Sequence, residues 1–570
     1  MNFNDIRFGF FLVVVLGLYA VLKSTLRSVV PQKLLFVTAS LYFYGSWDHR
    51  FLSLLIFSCA LDYQCGLCIA QRPPPGRESL LLLAGVTVAE LLTLAPIDWE
   101  AIGTVLRPSS AYLGGFQAPA EVIRLFVPSG SWREATAALV ALGIVTVLIL
   151  AGGALRRDFR PKYFLALSIT GSLTLLGFFK YYDFFVSGLE RLLGGHGWTL
   201  GLAVPVGISF YTFQSMSYTI DVYRQQLVPT SNFLDFAVFV SFFPQLVAGP
   251  IERAKTLLPQ LQVQRPFNWT QFQSGVFLIG WGLFKKVYVA DNLSGLVAPV
   301  FAPWNLTASG PEVVLAAYAF AWQVYTDFSA YSDIARGTAR LFGVELMVNF
   351  RIPYAARNPR ELWERWHISL STFLRDYLLR PLLGKKGFTP FVFYRSTFIT
   401  MVLCGLWHGA RANFVLWGAF HGAFLIAHRI AEPSLKKWTP KGTVTRGAFH
   451  LVCWVAFFHA AAWSALVFRS ENLEQVQRLT SALATGWGIP SRWLGALGQL
   501  GTLGHPGPLG LFLLYCGPLM LVELVQHRTG NLLAPLTWPW PVRAGFYLAL
   551  TYLAVLFGAF EPDGFMYFRF

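Results

Sequence analysis

The chain has 570 residues, with 45 Lys and Arg against 29 Asp and Glu and a formal charge of +16. Charged residues are 13% of it and hydrophobic residues 55%, whereas soluble domains carry about 25% charge. That composition excludes a string of soluble domains, a disordered chain and a fibrous one. It points to a polytopic membrane protein, whose basic loops account for the positive charge without nucleic acid.

Residues 8–22 follow Asp5 and Arg7 rather than a basic cluster, and no small-residue cleavage site comes after them. They read as a first spanning helix that is retained. A helix crosses the hydrocarbon core with about 20 apolar residues. Further apolar runs lie near 34–47, 51–70, 79–96, 135–155, 163–179 and 201–220, then near 274–290, 311–328, 390–407, 411–428, 446–468, 507–526 and 543–560. The fold class is therefore all-α: one domain over 1–570, with eleven to fourteen membrane helices, some tilted or re-entrant. Basic residues follow the first, third and fifth runs: Lys23, Arg27 and Lys33, then Arg72 and Arg77, then Arg156, Arg157, Arg160 and Lys162. Alternate loops are acid-balanced, which places the N-terminus outside and the basic loops in the cytoplasm. The run ending near Asp221 and Arg224 then closes inside.

Residues 97–134 read as an extracytoplasmic insert and 470–506 as a loop insert. The stretches around Pro205 and around Pro244 to Pro250 look like broken helices. The polar segment 351–387 has eight basic and three acidic residues. Asn358, Pro359 and Glu361 have the order of a capping box, and Leu362, Trp366, Leu370, Phe373 and Tyr377 recur at helical spacing. This predicts an amphipathic helix at the cytoplasmic interface. The six cysteines all sit in apolar runs; Cys65 and Cys68 have a C-x-x-C spacing but no second pair, so they read as small buried hydrophobes.

An ionisable side chain at membrane depth is costly and usually faces a wet cavity or a partner. His408 stands between Trp407 and Gly409, joining two apolar runs. Burial favours the neutral imidazole, which accepts a proton. His367 lies on the predicted amphipathic helix, where a snorkelling interfacial role competes with a functional one. His421 lies thirteen residues after His408, where packing against a neighbouring helix is the competing reading. Asp327 and Asp333, six residues apart, need not share a helix face and read as structural hydrogen-bonders. No zinc spacing, Walker loop, nucleophile elbow or Rossmann fingerprint is present, and no metal or bound cofactor is expected.

Six ordered motifs carry a resemblance: GISFYTFQSMSYTIDVYR at 207–224, FFPQLVAGPIER at 242–253, YTDFSAYSDIARG at 325–337, NFRIPYAARNPRELWERWHISLSTFLRDYLLRPLLG at 349–384, GLWHGARANFVLWGAFHG at 405–422 and FMYFRF at 565–570. In these the chain resembles the membrane-bound O-acyltransferase family, in its bacterial alginate O-acetyltransferase branch. It departs at Arg411, Ala412 and Asn413, and its 72–134 stretch is longer than the resemblance leads one to expect. The resemblance implies a helical fold with a central funnel, in a bacterial inner membrane. It implies that His408 is the catalytic histidine and His367 a second, cytoplasmic-side histidine. Trp407, Gly409, His421 and Asp333 are the candidates for lining the funnel. The implied co-substrate is a cytoplasmic acyl thioester such as acetyl-coenzyme A; Arg375, Arg380, Lys385 and Lys386 are basic groups able to attract its phosphates, with ordinary positive-inside charge as the competing and, for any single residue, favoured reading. The implied acceptor or partner is an extracytoplasmic polysaccharide or a periplasmic acetyltransferase. Two other classes compete: a transporter using His408 and the aspartates as relay groups, and a non-catalytic scaffold recruiting partners through 97–134 and 351–387.

Overall fold

The structure is a computed structural model that describes residues 3–71, 85, 143–144, 146–149, 151–152, 155–194, 197–201, 204–384, 389–488, 507–560 and 565–566. The expected insert 97–134, the run 79–96 apart from residue 85, much of 135–155, residues 385–387 and residues 489–506 lie outside them. The described residues form helices and no strands.

Eight described helices are long and apolar enough to cross a membrane. In chain order the elements used below are α1 (Ile6–Thr25), α2 (Val30–Gly45), α3 (Phe51–Ile69), α4 (Arg160–Leu193), α5 (Ile208–Tyr223), α6 (Trp269–Leu283), α7 (Gly310–Leu341), α8 (Ile368–Leu374), α9 (Pro390–His408), α10 (Ala412–Trp438), α11 (Thr443–Arg469), α12 (Pro508–Thr529) and α13 (Trp540–Phe557). The eight are α1, α3, α4 and α9 to α13. α1 presents Phe10, Val13, Val14 and Val21 outward, and none of the best apolar window of α13 is buried. Such faces suit lipid, where apolar side chains need no protein cover.

The runs predicted near 201–220 and 311–328 do become helices, α5 and α7, but both lie inside the protein. α5 carries Ser209, Thr212, Gln214, Ser215, Ser217 and Thr219, all buried. In a dry interior these groups need partners. Ser217 Oγ donates back to the Gln214 carbonyl at 2.7 Å, and Gln245 of the adjoining one-turn helix Phe243–Leu246 donates to the Gln214 side chain. α7 starts at a reciprocal capping box between Ser309 and Glu312, with Pro311 in its first turn.

The charges in the 274–290 run are explained by pairing. After α6 the chain continues as a π-helix over Phe284–Ala290, which sets Lys285 and Lys286 against α7. Lys286 Nζ lies 2.8 Å from Asp327 and 2.7 Å from Asp291, while Lys285 Nζ lies 2.7 Å from Asp333. Arg336 adds a second contact to Asp333 at 2.9 Å. The two helices come close because Gly275 and Gly337 face one another. A Cβ on Gly337 would stand 2.6 Å from the Gly275 carbonyl.

The predicted amphipathic helix is broken. Its first part ends after Trp363, and α8 begins at Ile368. Between them the chain folds back: Arg351 N–H donates to the Arg365 carbonyl and Ile368 N–H to the Asn349 carbonyl, each at 2.9 Å. His367 takes the left-handed conformation, φ 41° and ψ 56°. A non-glycine residue there stores of order 1–3 kcal/mol and persists only when its surroundings hold it. The surface helix predicted from spacing becomes a turn that buries the histidine side chain. The expected capping by Asn358 is present, with Glu361 N–H donating to its Oδ1 at 2.9 Å.

Candidate active site

His408 is the last residue of α9. The final carbonyls of a helix have no intrahelical partner. Here Lys180 Nζ and Tyr181 Oη of α4 supply partners, donating to the Trp407 carbonyl at 2.6 Å and the Leu406 carbonyl at 2.7 Å. α9 packs on α10 through glycines: a Cβ on Gly405 would lie 2.1 Å from the Phe414 carbonyl, and one on Gly418 2.3 Å from the Met401 carbonyl. That contact holds His408 among Trp407, Trp417 and Phe468, ring centroids 5.0, 5.1 and 5.2 Å away.

His367 arrives from the turn before α8 and His421 from α10. Both, with His408, line one cavity of about 60 Å³, enough for a few waters or a small reacting group. Its other walls include Trp363, Trp366, Trp417 and Phe468. Three histidines nominated one by one from the sequence thus meet in one place.

The tautomer of His367 follows from its neighbours. Asn349 receives the Ser369 backbone N–H at 3.2 Å, so the atom facing it is the carbonyl Oδ1. The Asn349 amide donates to Ser332 Oγ at 3.0 Å. His367 Nδ1 lies 3.1 Å from the same Oδ1 and must carry its proton there. Nε2 is left with its lone pair, buried and without a protein partner. Burial also pushes the His367 pKa down, to about 3, so the ring is neutral. Both ring nitrogens of His421 and the Trp363 Nε1–H are likewise buried without protein partners. Polar groups of this kind are costly unless something supplies the missing bond. The residues that line this mostly apolar cavity therefore include several with polar atoms that lack a protein partner.

Replacing Asn349 with leucine strands the Nδ1–H of His367 and the N–H of Ser369. The expected loss is about 1–3 kcal/mol of stability, read as a lowered unfolding temperature of the purified protein.

The other candidates fall differently. Trp407 packs behind the site, stacked on Phe213 at 5.6 Å and 6.0 Å from the His367 ring, off the cavity wall. Gly409 makes room for the Phe414 ring, which a Cβ would meet at 2.2 Å. Asp333 does not line the cavity; it pairs with Lys285 and Arg336. The two aspartates act as the structural partners their spacing suggested. Asn349, Trp363 and Lys180 escaped the sequence reading. Asn349 and Trp363 stand inside a motif and could have been found there, but Lys180 is 228 positions from His408 and carries no local signal. Among the described residues no group of three or more His, Cys, Asp or Glu side chains is arranged to hold a metal.

With this geometry in place, comparison with known proteins defines the class. The model of the membrane-bound O-acyltransferase family matches residues 191–464, a stretch that contains all three histidines. The chain is 39% identical over 336 residues to a probable alginate O-acetylase of Pseudomonas aeruginosa, covering 58% of this chain and 62% of that one. It is 37% identical over 361 residues to a probable alginate O-acetylase of Pseudomonas putida, covering 62% and 71%. It is 33% identical over 351 residues to a peptidoglycan O-acetyltransferase of Helicobacter pylori, covering 56% and 64%. The chain belongs to the membrane-bound O-acyltransferase family, and it is a multi-pass membrane protein. It spans less than two thirds of the length of the Pseudomonas aeruginosa and Helicobacter pylori relatives.

Proposed function

We propose that the protein transfers an acyl group, acetyl in the first instance, from a cytoplasmic thioester to a hydroxyl of an extracytoplasmic polysaccharide or of a partner that relays it. The observation that carries this reading is the meeting of His408, His367 and His421 around one apolar cavity with unpartnered polar groups on its wall. The names of the relatives, alginate and peptidoglycan acetylating proteins, support a cell-envelope glycan as acceptor.

In this reading His408 takes the proton of the acceptor hydroxyl as its oxygen attacks the thioester carbonyl carbon. The tetrahedral oxyanion needs a hydrogen-bond donor. Trp363 Nε1–H, which can only donate, suits that role, and His421 can assist when protonated on the facing nitrogen. The C–S bond then breaks, the thiolate takes the proton held by His408, and an ester and a free thiol leave. His367, held as the Nδ1–H tautomer by Asn349, offers Nε2 as an acceptor that orients the hydroxyl.

The test uses the full chain in native membranes supplied with acetyl-coenzyme A. Expected are donor-dependent release of free thiol and acetyl-bearing surface glycans by mass spectrometry, both absent from membranes lacking the protein. Unchanged glycans and no thiol release would reject acyl transfer and favour the transporter or scaffold readings.

A further inference from the structure

Away from the histidine cavity, α6 and α13 enclose a groove of about 710 Å³. Trp269, Val276, Gly280 and Val287 line one side of it, and Arg543, Leu550 and Val555 line the other. Trp269 and Val287 are 18 positions apart, about 27 Å at 1.5 Å per helical residue, against a hydrocarbon core of about 30 Å. The two helices run side by side in the same direction. Tyr547 meets Phe277 at 6.4 Å between ring centroids, and further along Ala559 N–H donates to the Val287 carbonyl at 2.9 Å. Asn292 Nδ2 fastens the same far end by donating to the Phe557 carbonyl at 2.7 Å. Midway, the wall of the groove is open: a Cβ on Gly280 would meet nothing within 4 Å.

The near end of the groove has the features of a membrane interface. Trp269 and Trp540, which open α6 and α13, are exposed, and amphipathic aromatic rings collect at headgroup level. Arg543, one turn into α13, lines the groove there. Its Nη1 donates to the Leu536 carbonyl at 3.3 Å, and among the described residues no carboxylate pairs with it. Phe272 walls both this groove and a second cavity lined by Lys23 of α1. The near end therefore lies on the face that the loop charges place in the cytoplasm. A cation without a carboxylate, at the mouth of an apolar slot, matches an amphiphile with an anionic head and a hydrocarbon tail. Anionic phospholipids have both, and they give the cytoplasmic leaflet its negative surface potential. A planar guanidinium fork also matches phosphate oxygens.

We propose that the α6–α13 groove binds an anionic phospholipid of the cytoplasmic leaflet, with its phosphate at Arg543 and one acyl chain lying along Val276, Gly280, Leu550 and Val555. The lipid completes the packing of α13, whose best apolar window has no buried residue. This site and the histidine cavity share no lining residue, so lipid binding here does not depend on acyl transfer.

The experiment measures lipid binding. The full chain, purified in detergent and stripped of lipid, is titrated with phosphatidylglycerol, with phosphatidylcholine, whose choline offsets its phosphate, and with diacylglycerol, which has no phosphate. Native mass spectrometry counts the bound lipid, and unfolding temperature is read in parallel. Wild-type protein is expected to bind phosphatidylglycerol about fivefold or more tightly than the other two, the worth of one basic residue at an anionic surface. Its unfolding temperature should rise as phosphatidylglycerol is added, because the lipid binds the native state. Arg543→Gln is expected to lose the preference while still binding a lipid tail. Gly280→Leu puts a side chain into the groove and is expected to abolish the tight site. Without lipid it should unfold no earlier than wild type, since leucine favours a helix over glycine. Gly280→Leu carries the test if Arg543→Gln does not fold. Equal binding of the three probes by wild type, an unchanged preference in both variants, or a tight site that survives Gly280→Leu would overturn the proposal. Recovery of a phosphate-linked glycan lipid, in place of a phospholipid, from protein extracted from membranes would overturn the choice of occupant.

Discussion

Replacing His408 with alanine is expected to lower acyl transfer by about 10²–10⁴-fold, the contribution of a positioned general base. The reason is local. The ring ends α9, is boxed by Trp407, Trp417 and Phe468, and shares its cavity with His367 and His421. Truncation removes the proton acceptor but leaves the walls, the two other histidines and the α9–α10 glycine contact. Those walls belong to large aromatic residues anchored elsewhere, so the variant should still insert and fold. The measurement is ester formed per unit time by equal amounts of folded protein, checked by size-exclusion profile and helicity. A folded variant that transfers at the wild-type rate would remove His408 from the reaction.

The second large effect is on stability. Lys286→Met should cost about 3–5 kcal/mol, the range for removing one partner of a buried ion pair. Lys286 Nζ stands between Asp291 and Asp327, and all three side chains are under a tenth exposed. Without the ammonium, two carboxylates remain close together in an apolar interior. The same site anchors the 565–566 segment: Met566 N–H donates to Asp327 Oδ2 at 3.0 Å, and fully buried Phe565 packs on Tyr331 at 4.3 Å. Unfolding temperature in detergent is the readout. Adding Asp327→Asn to Lys286→Met should restore part of the loss, because groups in one network couple and their effects are not additive. Equal stability of Lys286→Met and wild type would mean that these charges are solvated in the native protein.

Several features of the site were legible from local sequence. His408 and His421 stood out because an ionisable ring beside or within an apolar run is expensive, and His367 because it lies on the predicted amphipathic helix in a motif that carries the resemblance. Asn358 and Glu361 announced a cap that is present. Lys285, Lys286, Asp327 and Asp333 were visible as charges, but which lysine meets which aspartate depends on the register of α6 against α7. The π-helical turn and the Gly275–Gly337 contact set that register. The broken helix at His367 was illegible for a related reason. Residues 358–377 have good helical spacing, yet hydrogen bonds to Asn349 and Arg351, distant along the chain, outweigh local preference and turn the ring inward.

Composition and hydrophobic periodicity by themselves determined the all-α class and the membrane setting and left the three histidines as candidates beside structural readings, because the cost of burying charge and exposing apolar surface acts residue by residue; the roles expected of His408 and His367 came from the resemblance. The tertiary structure alone decided that those rings share a cavity, that Asn349 sets one tautomer, and that Asp333 serves Lys285 rather than the cavity. Each of these depends on contacts between segments far apart in the chain, and such contacts form only when helices reach a particular separation and register.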